Sequence, residues 1–241
     1  MIRKVTARVS AALSLLTLEI VVVGSVFLGA ALLFFYLTRV VFVAHSVQFD
    51  TWAFGQLDAV RAAWPSLTPV VRALTFFASL PWLVAAGLGI PLLLGWRKHR
   101  HEAWEVFWAV AGSSLLNQVL KTYFHRLRPQ SALFQQAGLS FPSGHAMIGL
   151  ALYGCLAWIL WRHRHHPAWA ALLLLFALLI GLTRVYLHVH YATDVLAGFA
   201  GALLWLILLR GMFQLKIKSE KLKIGRSAVI PTKEKKRDPN H

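Results

Sequence analysis

Six apolar runs mark the chain: Ile20 to Leu37, Leu74 to Trp96, Trp104 to Leu120, Phe141 to Trp161, Pro167 to Leu187, and Tyr191 to Leu209. A helix needs about 17–25 residues to cross the hydrocarbon core of a bilayer. No water is available there, so backbone groups must be satisfied within helices or closed barrels. Each run is close enough to that length to predict a transmembrane helix, although the third and sixth contain or border polar residues. Composition agrees, with 58% hydrophobic residues and 14% charged, against roughly 45–50% and 25% in soluble chains. A disordered chain, a collagen-like fibre and an ordinary soluble domain are excluded. The first run follows Arg3, Lys4 and Arg8 in the manner of a signal peptide. It lacks a small-residue cleavage site and is read as an uncleaved span. The expected fold is an all-α polytopic membrane bundle with six transmembrane helices over residues 1–209, followed by a basic tail over 210–241. No internal repeat is visible.

Charge sets the orientation. The chain carries 25 Lys and Arg against 9 Asp and Glu, a net charge of +16, of which residues 210–241 contribute +7. With the N-terminus in the cytoplasm, 18 of the basic residues fall on the cytoplasmic side and 7 outside. That asymmetry is the positive-inside pattern, so both termini are expected in the cytoplasm. The same placement argues for anionic lipid headgroups as partners of the tail, and against nucleic acid. The single cysteine, Cys155, excludes an intrachain disulfide. Val43 to Arg72 is the longest connection, and its mixture of Asp50, Trp52, Phe54, Leu57 and Trp64 suits an interfacial helix or a plain linker. Lys216 to His241 has little apolar periodicity and is expected to be extended or disordered.

Under this topology the ionisable residues collect at the outer ends of four spans: Lys121, then Pro142-Ser143-Gly144-His145, then Arg184, then His190 and Asp194. Lys121, Arg128 and Arg184 are three cations with Asp194 as the one acidic residue counted near them. Cations beside Ser-Gly at a helix start describe an anion pocket. Helix N-termini offer free N–H groups, and an arginine fork matches phosphate oxygens. Gly144 lets the backbone approach a ligand closely. His190 and Asp194 stand four residues apart, on one face if a helix has begun. A carboxylate on one ring nitrogen leaves the other as a nucleophile, and His145 is placed to protonate a leaving oxygen. His163, His165 and His166 read as interfacial residues, and His125, Arg126 and Arg100 as headgroup anchors. Glu19 and Glu105 read as solvated or paired. His188 is a weaker nucleophile, because a helix would turn it away from Asp194. A zinc site from His145, His188, His190 and Asp194 is disfavoured by the three neighbouring cations.

Three segments resemble the motifs of a known family. Lys121 is followed after six residues by Arg128-Pro129. Phe141 precedes Pro142-Ser143-Gly144-His145. Thr183-Arg184 is followed by five residues, His190, three more, and Asp194. In this order they look like the type 2 phosphatidic acid phosphatase / vanadium haloperoxidase superfamily, in its bacterial membrane lipid-phosphatase branch. The resemblance implies that His190 is the nucleophile of a phosphohistidine intermediate, oriented by Asp194, with His145 as general acid. It implies that Lys121, Arg128, Ser143, Gly144 and Arg184 hold the phosphate, with no metal and no cofactor. Two positions depart from the pattern: Thr183 replaces the usual Ser, and His188 stands where many relatives have Gly. The implied activity is a lipid phosphate or pyrophosphate phosphatase of the inner membrane, with its site on the extracytoplasmic face. Undecaprenyl pyrophosphate and phosphatidylglycerol phosphate are the favoured substrates. A vanadate-dependent haloperoxidase has no need of six spans. A phosphate or anion transporter would place its site near the midplane, usually between repeats.

Overall fold

The computed structural model describes residues 2–229, with side chains from residue 20 to residue 215. Its described residues form helices α1 (Ile2–Phe42), α2 (Gln48–Ala63), α3 (Leu67–Phe76), α4 (Leu80–Trp96), α5 (Arg100–Phe124), α6 (Gly144–Arg162), α7 (Pro167–Tyr186) and α8 (Ala192–Val229), with no strand. Four apolar stretches are long enough to cross a membrane: Ile20–Phe42, α6, α7 and Ala192–Leu215. The pair α3 and α4, bent by 43° at the break, makes a fifth if counted as one span. The chain is an all-helical membrane protein.

Local signals account for the helix ends. Ser143 precedes α6 in an extended conformation, and Pro167 opens α7, where its missing N–H costs nothing. His125 stops α5 in the left-handed region at φ 50°, a conformation uncommon outside glycine.

Lipid tails are as apolar as leucine, so helices in a membrane are held by close packing and buried polar contacts. The central helix α6 accordingly buries Ala146, Gly149, Ala151 and Ala157 against α5, α7 and α8. From α8, Ala197, Ala200 and Ala202 are buried. At Gly198 the approach is to backbone, for a Cβ there would lie 2.7 Å from the Ser143 backbone oxygen. The N-terminal turns of α6 and α8 therefore touch backbone to backbone.

Two expectations are corrected and one open alternative is decided. The run Leu74 to Trp96 is not one helix: it breaks at Phe77–Ser79, where Ser79 and Pro81 supply an ordinary helix start. Tyr153 holds this break, donating to the Phe77 carbonyl at 2.6 Å and accepting from Trp82 Nε1 at 3.0 Å. Of the two readings of Val43 to Arg72, helix and plain linker, the structure has the helical one: the segment contains α2 and most of α3. The tail is not extended from Lys216, because α8 continues to Val229, and residues 230–241 lie outside the described residues. The side chains of Arg3, Lys4, Arg8, Glu19 and the basic tail beyond residue 215 also lie outside them.

Candidate active site

Four helix ends meet at one end of the bundle: the C-termini of α5 and α7 and the N-termini of α6 and α8. A backbone hydrogen bond from Ser143 N to the Asp194 carbonyl, 3.0 Å, joins the last two. His190 lies just before α8 in the turn after α7, and its side chain is 1% exposed. The ring Nδ1 stands 3.4 Å from Asp194 Oδ2, so the pairing anticipated from a helical spacing is made although the helix begins only at Ala192. Nε2 faces the other way, 3.0 Å from Arg128 Nη1. Burial, partly offset by Asp194 and reinforced by the Arg128 and Arg184 charges, pushes the His190 pKa down to about 3. The imidazole is therefore neutral at neutral pH, with a lone pair on the nitrogen away from the carboxylate.

The three cations read from the sequence are brought together, and neutral groups hold them. Lys121 Nζ donates to the Leu139 carbonyl and, at 3.5 Å, to that of Ser140. Arg128 bonds the Val189 carbonyl at 2.7 Å and the Gly138 carbonyl at 3.0 Å. Arg184, 1% exposed, bonds Thr75 Oγ1 at 2.6 Å and Gln136 Oε1. Among the described residues no carboxylate lies within ion-pair distance of any of the three. Ser143 Oγ and Arg184 Nε are buried without a hydrogen-bond partner. A buried donor without a partner costs about 1–3 kcal/mol, so both are unused capacity for ligand oxygens. Gly144 opens α6 and His145 follows it, half-buried and near enough to feel the charges of Arg184, Arg128 and Lys121. All eight residues singled out in the sequence thus gather at this end.

Thr183 does not face the group. Its hydroxyl turns back on the Ile180 carbonyl at 2.5 Å, as a mid-helix threonine does. His188 is held by α2 and the loop before α6, not by Asp194. At φ 55° it stacks on Phe54 at 4.1 Å, with Nδ1 2.9 Å from Ser131 Oγ and Nε2 2.9 Å from Asp58 Oδ1. Burial, opposed by Asp58, lowers its pKa.

Sequence reading missed three residues. Ser140 donates to Asp194 Oδ2 and lies 3.2 Å from His190 Nδ1. Asp50, 1% exposed, reaches the site from α2, so Asp194 is not the one acidic residue near the cations. Arg126 is not a headgroup anchor: it is turned inward and bridges Asp50 at 2.8 Å and Asp194 at 2.5 Å. A usable signal existed for Asp50, since an acidic residue beside a span in a cationic setting requires a partner.

A neutral buried histidine backed by a carboxylate and ringed by uncompensated cations belongs to a protein that handles an anionic group at the end of a membrane bundle. Comparison with known proteins narrows the class. The family model of the PAP2 superfamily matches residues 102–218. Phosphatidylglycerophosphatase B of Bacillus subtilis strain 168 is 34% identical over 199 residues, covering 77% of this chain and 94% of that protein. The crystal structure of a transmembrane PAP2-type phosphatidylglycerolphosphate phosphatase from Bacillus subtilis is similar with a TM-score of 0.67 at 29% identity. It covers 78% of this chain and 96% of that one. The chain belongs to the PAP2 superfamily. It is a membrane lipid phosphatase, a hydrolase of phosphoester bonds.

Proposed function

We propose that this phosphatase removes the terminal phosphate of phosphatidylglycerol phosphate through a phosphohistidine on His190. The observation that carries the reading is the buried His190–Asp194 pair among Lys121, Arg128 and Arg184, cations with only neutral partners. His190 Nε2 attacks phosphorus as the ester P–O bond breaks, and His145 gives its proton to the leaving oxygen. Water, deprotonated by His145, then attacks phosphorus and releases His190 and inorganic phosphate. Asp194 stabilises the imidazolium form. Lys121, Arg128, Arg184, Ser143 Oγ and the N–H groups of Gly144 at the start of α6 take the phosphoryl oxygens, whose charge is spread in the transition state. No metal or cofactor is assigned a role.

A lipid substrate is supported by an apolar cavity of about 430 Å³ between α2, α7 and α8. Ala192 and Val195 line it, beside the Thr193–Asp194 pair. The name of the Bacillus relative favours phosphatidylglycerol phosphate over undecaprenyl pyrophosphate. Counting the bent α3–α4 pair and α5 as spans gives six, and charge places both termini in the cytoplasm and the site on the outer face of the inner membrane. The basic tail then meets anionic lipids on the inner face.

Phosphate release by the detergent-purified protein, with chelator present, tests this reading. The panel holds phosphatidylglycerol phosphate, undecaprenyl pyrophosphate, phosphatidic acid and a soluble phosphomonoester, beside His190→Ala. Hydrolysis of phosphatidylglycerol phosphate above the others, lost by about 10³-fold or more in the variant, is expected for a missing nucleophile. Full activity in His190→Ala removes the nucleophile. Preference for another substrate removes the lipid assignment. Loss with chelator, restored by zinc, reopens the metal site.

A further inference from the structure

The helix that follows α1 contains none of the three motifs, yet it sends a carboxylate into the centre of the site. Asp50 on α2 accepts three hydrogen bonds: from Thr193 N at 2.9 Å, Thr193 Oγ1 at 2.9 Å and Arg126 Nη2 at 2.8 Å. Arg126 is held by further contacts. Its Nη1 donates to Asp194 Oδ1 at 2.5 Å and to Thr193 Oγ1 at 2.7 Å, and its guanidinium lies 3.9 Å from the Tyr191 ring centroid. The Thr193 hydroxyl accepts from Arg126 and donates to Asp50.

The order of charges is carboxylate, guanidinium, carboxylate: Asp50, Arg126, Asp194. Asp50 is 1% exposed and Asp194 is fully buried. A buried carboxylate is tolerated only when paired and fully hydrogen-bonded. Arg126 serves both at once through its fixed fork. With Oδ1 of Asp194 taken by Arg126, Oδ2 is left to Ser140, to Tyr191 N at 3.0 Å and to His190 Nδ1. The rotamer that presents Oδ2 to the histidine therefore depends on where Arg126 is held, and Asp50 holds it.

We propose that Asp50 and Arg126 are positioning residues of the phosphatase, with α2 carrying the carboxylate that keeps Asp194 aligned on His190. The inference rests on the phosphohistidine reading above. Neither side chain touches the phosphate, so their loss slows chemistry and leaves binding alone. Small misplacements of a reacting pair are costly in rate.

The test uses the full chain in detergent, with phosphatidylglycerol phosphate as substrate and inorganic phosphate as competitor. For Asp50→Asn, loss of one charge-assisted buried bond predicts a kcat about tenfold lower. KM, the inhibition constant for phosphate and the folded fraction are expected to stay within about twofold of wild type, the signature of an interaction felt only in the transition state. Arg126→Lys keeps the charge but loses the fork, and the same pattern is expected. It also serves if Asp50→Asn fails to fold. Unchanged kcat in both folded variants overturns the inference alone. A phosphate inhibition constant that rises in step with the fall in kcat also overturns it, because the pocket as a whole has then shifted. Wild-type protein that hydrolyses no lipid phosphate, or activity in His190→Ala, overturns the phosphohistidine reading and this inference with it.

Discussion

Both ends of the bundle are rich in charge, but they treat it in opposite ways. At the end away from the site, Arg162 closes a fork on Glu105 at 2.9 and 3.0 Å and reaches Glu102 at 3.2 Å. His163 and His101 add contacts of 3.2 Å to Glu102 and Glu105. The Arg162 charge thus has carboxylate partners, and the cluster ties α5 to α6. At the site end, Lys121, Arg128 and Arg184 have carbonyl, hydroxyl and amide partners, while Arg126 satisfies the two buried carboxylates. Compensated charge fastens helices; uncompensated charge, held in place by neutral acceptors, is free to attract an anion. The functional end is recognised by the pairing of its charges, not by their number.

Breaking the cationic side of this contrast has the largest expected consequence. Arg184→Gln removes a buried cation of the proposed phosphate cradle, and kcat/KM for phosphatidylglycerol phosphate is expected to fall by about 10²–10³-fold. Gln136→Glu sharpens the comparison by giving Arg184 a carboxylate like the partners of Arg162. An introduced opposite charge is expected to lower kcat/KM by about tenfold without loss of folded protein, read from steady-state kinetics. At the far end the outcome reverses. Arg162→Gln leaves Glu105 without its main partner and is expected to lower the thermal midpoint by about 2–4 °C, for roughly 1 kcal/mol in a chain of this size. Its kcat is expected to stay within about twofold of wild type, since the change is remote from the chemistry.

A last expected effect concerns pH. His190 is held near 3 in the folded protein, against an ordinary value of 6.5. Between these values the unfolded chain binds the extra proton, so stability rises with pH. The contribution is complete above pH 6.5 and is lost as pH falls toward 3. A thermal midpoint that declines over this window in wild type, with a shallower decline in His190→Gln, is the expected record. Equal slopes would detach His190 from it.

Much of this was readable before any coordinates. Lys121, Arg128, Ser143, Gly144, His145, Arg184, His190 and Asp194 stand in short motifs at run ends, and the run ends had to meet if the runs crossed a membrane together. The orienting contacts were harder to read. Arg126 is one of several basic residues beside a span, and nothing local separates an inward fork from a headgroup contact. Its partner Asp50 lies 76 residues away, on a helix whose seating depends on tertiary packing. Hydropathy averaged over Leu74 to Trp96 also hid the break at Phe77–Ser79, since the residues around it are as apolar as the helices they separate. The start of α4 at Ser79 and Pro81 was the local clue.

The backbone contact between Ser143 and the first turns of α8 has a consequence for biogenesis. Chain synthesis supplies Lys121, Arg128 and the start of α6 first, then Arg184, and only afterwards His190, Asp194 and Gly198. Arg184, His190 and Asp194 therefore reach Lys121, Arg128 and Ser143 only when the α7–α8 hairpin enters the bundle. A partly inserted chain lacks Arg184 as well as the histidine and its carboxylate, so on the proposed mechanism the whole site is assembled in the last packing step.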